Sequence, residues 1–275
     1  MEKLTPDDLA SLLSILQTSG LDSVVVGGQA VNFWAYQYYQ DSEEWSRLLP
    51  FASEDLDFFG GKMEAIACAE TLQSHAIRTQ VSLNVDFEPT PNAGVVLAQY
   101  RGQTLRIDFL ASVFGLNDAE ICGTAITFEG KESLQGLSLK VLNPILCLEG
   151  KLKCLRGLPQ GSRQDLKHVQ LSLLCVREFL KEQCNEESPH SGLKLIERVM
   201  NSAITEDGLS AWYRHQVQVE VAAPVQQLQG FMSGPWQRFN QIRWPQVLEQ
   251  IQIRRQRYRQ IMERLQQAQS PKNWR

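Results

Sequence analysis

What this chain lacks narrows its class before any motif is read. No stretch approaches the ~18 consecutive apolar residues of a membrane-crossing helix, so a membrane role is not expected. The opening MEKLTPDDLA goes straight into an amphipathic pattern, without the apolar stretch of a secretory signal. Histidine is scarce, and His75, His190 and His215 stand isolated, none at metal-ligand spacing from a cysteine or another histidine. The six cysteines (Cys68, Cys122, Cys147, Cys154, Cys175, Cys184) form no CxxC pair. Several fall inside apolar helical patterns, where a buried free thiol is the plainer reading, and a reduced, cytoplasmic setting fits best. G-x-S-x-G, Walker A and Rossmann fingerprints are absent, as are internal repeats.

What remains is an ordinary globular composition with an uneven charge. The net charge of −4 hides a basic tail: from Pro235 onward nine basic residues (Arg238, Arg243, Arg254, Arg255, Arg257, Arg259, Arg264, Lys272, Arg275) face only Glu249 and Glu263. That segment is +7, which leaves residues 1–234 at −11. The whole chain is therefore no basic nucleic-acid binder, although its last segment has the composition of one.

Periodicity divides the chain near residue 142. Thr5 to Thr18 reads as a helix, with Thr5 as cap, Pro6 in the first position and Asp7 and Asp8 at the positive end of the dipole. SVVVGG reads as a buried strand and tight turn, QAVNFWAYQYY as a helix, and Asp41–Ser53 as a loop or insertion. EDLDFFGG is a second strand and turn, followed by the helical GKMEAIACAETLQSH. AGVVLAQY, TLRIDFLA, TAITFEG and LSLKVLN read as strands, the first two joined in a hairpin through Arg101–Gln103. From Pro144 the pattern is helical, broken near Gly157–Gly161, Asn185–Gly192 and Ala222–Pro235. The expected class is α+β: a mixed sheet flanked by helices over 1–142, followed by an α-helical C-terminal domain over 143–275.

The chemistry concentrates in acids on strands. Asp55 and Asp57 are two apart in SEDLDFF, so both carboxylates leave one face of the strand while Leu56 leaves the other. Two like charges beside Phe58 and Phe59 are costly unless a cation neutralises them. In TLRIDFL, Leu105 and Ile107 alternate with Arg106 and Asp108, so Asp108 faces away from the apolar row. If the two strands are neighbours, three carboxylates converge, the donor set with which Mg²⁺ ions hold a nucleoside triphosphate and activate an acceptor hydroxyl. Solvated strand acids on a half-exposed sheet are the alternative for any one D-x-D. The Gly27-Gly28 turn shifts the balance, because glycines opening onto a helix let backbone N–H groups approach phosphate oxygens.

In order, apolar strand–Gly–Gly–helix, acid–apolar–acid on a strand, and a lone acid on a later strand resemble the DNA polymerase beta superfamily of nucleotidyltransferases. A serine is usual in that family where Gly28 stands, and the interval from Gly28 to Asp55 exceeds that of minimal members by about the Asp41–Ser53 stretch. Ser53-Glu54-Asp55-Leu56-Asp57 is similar to the S-x-D-x-D signature of the AbiEii-type branch, known for toxins of toxin–antitoxin and phage-defence systems. NPILCLEGKLKCLRG resembles its lysine motif, with Lys151 and Arg156 at K-x4-R spacing. SRQDLKHV resembles its R-D-x-x-D segment, with Asp165 as the first acid and His168 where a second is common. The likeness spans roughly residues 24–170 and implies a nucleotidyltransferase-like sheet that transfers an NMP from an NTP, ATP among the candidates, to a hydroxyl. It implies Mg²⁺ in a two-metal site, with Mn²⁺ as a substitute, and a cognate antitoxin if the toxin role holds.

On that likeness Asp55, Asp57 and Asp108 hold metal, with Asp108 as third ligand or as base for the incoming hydroxyl. Gly27, Gly28 and Ser53 cradle phosphates, and Lys151 with Arg156 neutralises the triphosphate. Helical geometry agrees for Lys151: Ile145, Leu148, Leu152 and Leu155 form an apolar stripe that Lys151 and Arg156 flank, while Lys153 points further out. Asp165 borders the next apolar stripe (Leu166, Val169, Leu173, Val176, Leu180) and wants a cationic partner, Lys151 or Arg156. Acceptors compatible with this core are an RNA or tRNA end, a protein side chain, or a small molecule such as an aminoglycoside. A non-catalytic nucleotide- or partner-binding module is the rival. The tail from Trp244 reads as one long helix, its arginines bracketed by Trp236, Phe239, Trp244, Tyr258 and Trp274. It suits either an RNA-gripping arm or a surface helix docked on the acidic body.

Overall fold

The computed structural model describes residues 3–85, 90–161 and 163–269; Lys272, Trp274 and Arg275 lie outside the described residues. The chain forms two compact units, Met1–Cys154 with Pro159–Cys175, and Leu155–Leu158 with Val176–Arg275. The architecture is α+β: a seven-stranded mixed sheet flanked by helices, and a helical C-terminal region.

The strands of the first unit are β1 (Val24–Val26), β2 (Asp55–Phe59), β3 (Thr79–Leu83), β4 (Asn92–Tyr100), β5 (Gln103–Leu110), β6 (Ile126–Glu129) and β7 (Ser138–Val141). They lie in the order β3-β4-β5-β2-β1-β7-β6, with β2/β5 and β1/β7 parallel and the other pairs antiparallel. β1 is buried throughout, as a central strand of valines must be. β4 and β5 are joined by the two-residue turn Arg101-Gly102, both at positive φ, which matches the twist of the strands. β3 has no counterpart in the sequence reading. It is a short edge strand with no fully buried residue, and the alternation of Val81 and Leu83 with Gln80 and Ser82 is too brief to stand out in the sequence.

The helices of this unit are α1 (Pro6–Thr18), α2 (Gly27–Tyr38), α3 (Glu43–Ser46), α4 (Lys62–Ser74) and α5 (Asp118–Thr124). The hydroxyl of Thr5 accepts from the Asp8 N–H, and the Asp8 carboxylate accepts from the Thr5 N–H, which closes the cap of α1. The stretch Asp41–Ser53, read as loop or insertion, holds the single turn α3. Trp45 is fully buried there, edge-on to Tyr39 and Phe51, and so anchors the segment that delivers Ser53 to β2. Trp34 is buried on α2 and donates its Nε1–H to the Leu142 carbonyl at 2.7 Å.

Helices α6 (Pro144–Gly157) and α7 (Asp165–Gln183) contribute residues to both units. The second unit continues with α8 (Pro189–Ile204), α9 (Glu206–His215), α10 (Val225–Leu228), α11 (Gly234–Arg238) and α12 (Trp244–Gln269). α12 buries Val247, Ile251 and, unusually, Arg255, whose guanidinium is 3% exposed and donates to both Glu220 oxygens at 2.6 and 2.7 Å. The Trp212 ring takes Arg255 at 5.3 Å and Arg259 at 5.0 Å. Two of the tail arginines are therefore part of the packing of this unit, while Arg254, Arg257 and Arg264 stay exposed.

Candidate functional site

The strand order brings the three acids together. β2 lies beside β5 in parallel, and the register sets Asp57 directly against Asp108. Alternation sends Leu56 and Phe58 into the core and leaves Asp55 and Asp57, half-buried, on the other face. Asp55, Asp57 and Asp108 each offer a carboxylate oxygen, and these oxygens lie within 4.8 Å of one another.

Their electrostatics differ. Burial, then the carboxylates of Asp55 and Asp108, push the Asp57 carboxyl up to about 8, against the opposing pull of Lys151 and Arg106. Asp108, 5% exposed, is raised chiefly by burial, and Arg106 works against that rise. Arg106 Nε donates to both Asp108 oxygens at 3.0 and 2.7 Å, and Asn92 Nδ2 donates to Oδ1 at 3.1 Å. Ser53 Oγ donates to Asp55 Oδ1 at 3.1 Å. Asp57 is thus the acid whose charge is least provided for, and a divalent cation on hard oxygen donors would meet that need. The donor set fits Mg²⁺ or Mn²⁺.

The turn between β1 and α2 is shaped around these acids. Gly27 has φ +66°, and a Cβ there would stand 1.9 Å from Asp57 Oδ2. A Cβ on Gly28 would stand 2.6 Å from Ser53 Oγ and 2.9 Å from His168 Cε1. Both glycines therefore permit close approach, the first of a carboxylate and the second of a hydroxyl and an imidazole. They also begin a twelve-residue helix, whose free N–H groups favour an anion.

Gly28, Ser53, Glu54, Asp55 and Asp57 line one cleft together with Lys151, Arg163, Gln164, Asp165 and His168 of the α6–α7 segment. Asp165, 1% exposed, accepts from Lys151 Nζ at 3.1 Å and from Arg163 Nε at 2.5 Å. Burial drives its pKa up, but Arg163 and Lys151 more than offset this and hold the carboxyl below its ordinary value. Of the two cations expected to partner Asp165, Lys151 does so; Arg156 belongs to the second unit and pairs with Glu206 at 2.9 Å and with Asp207. Arg163 takes the remaining place.

The structure thus gathers Gly28, Ser53, Asp55, Asp57, Lys151 and Asp165 around one cleft, with Gly27 and Asp108 in contact with that cluster through Asp57. The residues that sequence reasoning passed over are Arg163, Arg106, Asn92 and His168 as a wall of the cleft. Arg106 was legible, since it lies two residues before Asp108 on the same strand face. Arg163 precedes Asp165 by two in a loop, where no periodicity assigns a direction. No protein-family model matches the sequence, and no curated protein is significantly similar to it.

Proposed function

We propose that this chain is a metal-dependent nucleotidyltransferase of the DNA polymerase beta superfamily, similar to its AbiEii-type branch, moving an NMP from an NTP to a hydroxyl acceptor. The observation that carries the reading is the set of three carboxylate oxygens within 4.8 Å, next to a diglycine turn that opens a helix. Asp55, Asp57 and Asp108 would hold Mg²⁺, which supplies charge neutralisation at the triphosphate and acidifies the acceptor hydroxyl. Gly27 and Gly28 offer backbone N–H groups to phosphate at the start of α2. Lys151 and Arg163 line the same cleft and bring positive charge to a polyanion, while Asp165 fixes both side chains in place. Asp108, oriented by Arg106 and Asn92 and raised in proton affinity by burial, is suited to take the hydroxyl proton.

The acceptor classes are an RNA or tRNA end, a protein side chain, or a small molecule of the aminoglycoside kind. A toxin–antitoxin or phage-defence role, with its antitoxin, rests on the resemblance in sequence alone. The test is incubation with each labelled NTP, Mg²⁺, and total RNA or lysate. Label should move to one acceptor pool, and Asp55→Ala should abolish the transfer with the fold retained. A folded wild-type protein that labels nothing from any NTP would sink the catalytic reading. One observation favours a second reading, a nucleotide-binding module without turnover: both oxygens of Asp108 are already engaged by Arg106. On that reading NTP binds with Mg²⁺ but no label moves.

A further inference from the structure

The imidazole of His168 is out of place by every ordinary criterion of packing. It sits on the first turns of α7, 4% exposed, and neither Nδ1 nor Nε2 has a hydrogen-bond partner among the described residues. A buried polar atom without a partner is destabilising, and an apolar residue of similar size would avoid that cost at both nitrogens. Native structures keep such atoms few, and each needs a reason.

Its surroundings suggest one. His168 lines the cleft with Asp55, Asp57, Lys151 and Arg163, and its Cε1 edge lies against Gly28, the second residue of α2. Even the methyl of an alanine at position 28 would collide with it, at 2.9 Å. The turn has therefore been left bare for two groups at once, Ser53 Oγ and this ring. Among the described residues the groups placed to share a metal are the three aspartates alone, and the ring as it stands is not among them. Nor is it built as a base. Burial first, and the Lys151 cation second, lower its pKa to about 3, which leaves it neutral and weakly basic at any ordinary pH. A neutral imidazole carries one N–H donor and one acceptor nitrogen.

We propose that His168 is a phosphate-binding residue of this cleft, donating a ring N–H to the polyphosphate of the bound nucleotide beside Gly28. The inference rests on the nucleotidyltransferase reading for the identity of its ligand. Two cations, Lys151 and Arg163, and the N-terminus of α2 already make the cleft a place for a polyanion. A neutral donor adds hydrogen bonding there without further charge, next to carboxylates that need the cationic charge themselves. The torsion that turns a histidine ring about Cβ–Cγ is broad and soft, so a ring rotation can turn a nitrogen toward the cleft. The role is one of binding and positioning, and the ring exchanges no proton.

The test uses the full-length protein and three probes: Mn²⁺ alone, Mg²⁺ with each NTP, and Mg²⁺ with inorganic tripolyphosphate. His168→Phe puts a somewhat larger aromatic ring in place of the imidazole and deletes both nitrogens. It should bind Mn²⁺ as wild type does, and bind both NTP and tripolyphosphate about tenfold more weakly. His168→Asn and His168→Gln each restore one donor near the position of Nδ1 or Nε2, and one of them should recover most of the affinity. With only four histidines in the chain, the ¹⁵N signal of this imidazole can be assigned and should shift when tripolyphosphate is added. Unchanged tripolyphosphate affinity in His168→Phe overturns the proposal, whether the NTPs are then bound normally or not. So does a wild-type ring whose ¹⁵N signals ignore the ligand, as they would if a buried water satisfied it. If wild type binds neither NTP nor tripolyphosphate with Mg²⁺, the nucleotidyltransferase reading itself falls. If it binds both and His168→Phe does so equally, only this inference falls.

Discussion

Replacing Gly27 with alanine asks whether Asp57 belongs to a metal site, because the added methyl and the Asp57 carboxylate cannot occupy the same space. Gly27 holds φ +66°, a conformation that costs an L residue about 1–2 kcal/mol. The new Cβ would meet Asp57 Oδ2 at 1.9 Å, Cγ at 2.8 Å and Cβ at 3.0 Å. The carboxylate must therefore rotate away, at about 0.5–1.5 kcal/mol if it stops between staggered wells. Gly20 provides the matched control, with φ +81° and nothing within 4 Å of its built Cβ. Gly20→Ala should show the backbone cost alone, about 2–8 °C in Tm for a chain of this size. In EDTA, Gly27→Ala should lose somewhat more than Gly20→Ala, by the cost of turning the Asp57 carboxyl aside. The two variants should separate once cation is present. By calorimetry with Mn²⁺ and ATP, Gly20→Ala should match wild type and Gly27→Ala should bind at least about tenfold more weakly, a loss of roughly 1.4 kcal/mol. Wild-type affinity in Gly27→Ala would refute the assignment of Asp57 to the site. A collapse of Gly27→Ala alone, in EDTA, would show that the close approach serves the fold.

Other perturbations read the same cleft. Asp57 is raised from 3.8 to about 8, so in EDTA the folded protein holds a proton that the unfolded chain has released, and stability falls as pH rises through that window. His168, lowered from 6.5 to about 3, acts in the opposite sense below pH 6.5. The clean fall in Tm is thus expected from pH 6.5 to 8, and Asp57→Asn should flatten it; an unchanged slope in that variant would remove Asp57 as its cause. Lys151→Ala should cut NTP affinity far more than Lys153→Ala, because Lys151 lines the cleft and pairs with Asp165 while Lys153 donates to the Gly115 carbonyl. Equal, small losses in a binding titration would leave Lys151 only its structural role as the partner of Asp165. In the second unit, Arg255→Ala strands Glu220 and should cost about 3–5 kcal/mol in denaturant melts, whereas exposed Arg254→Ala should stay within about 0.5 kcal/mol.

Much of the sheet could be read because burial imposes a period. β1 is a short all-apolar run, and β2 and β5 alternate in a way that admits one facing, so Asp55, Asp57 and Asp108 could be assigned to faces without knowing the topology. What the pattern could not supply was adjacency. That β2 and β5 pair in parallel, in the register that sets Asp57 against Asp108, depends on the sheet order, which inserts β2 between strands distant in sequence. Where burial is weak the reading failed, as at the edge strand β3 and at α3, a single turn held by the tertiary burial of Trp45.

The cations show the same limit at the level of single side chains. A helical wheel places Lys151 and Arg156 at the two borders of one apolar stripe, and it cannot say which border meets the acids. In the fold, five residues of helix are enough to put them in different units, Lys151 on Asp165 and Arg156 on Glu206 and Asp207. The cation that joins Lys151 in the cleft comes from the irregular α6–α7 connection, where Arg163 has no period to reveal its direction. The tail divides in the same way. Arg254 and Arg255 are neighbours in a run of like charge, yet the 100° between them on the helix exposes the first and buries the second against Glu220 and Trp212. Deleting residues 250–275 would therefore remove Ile251 and Arg255 from the packed face along with any binding surface. An RNA-gripping role for α12 has to be tested on Arg254, Arg257 and Arg264, whose substitution by glutamine leaves that face intact. If the helix grips RNA, the triple variant should bind it more weakly and with a shallower salt dependence at an unchanged melting temperature. Equal RNA binding at low salt by the variant and the wild type would remove these arginines from any acceptor site.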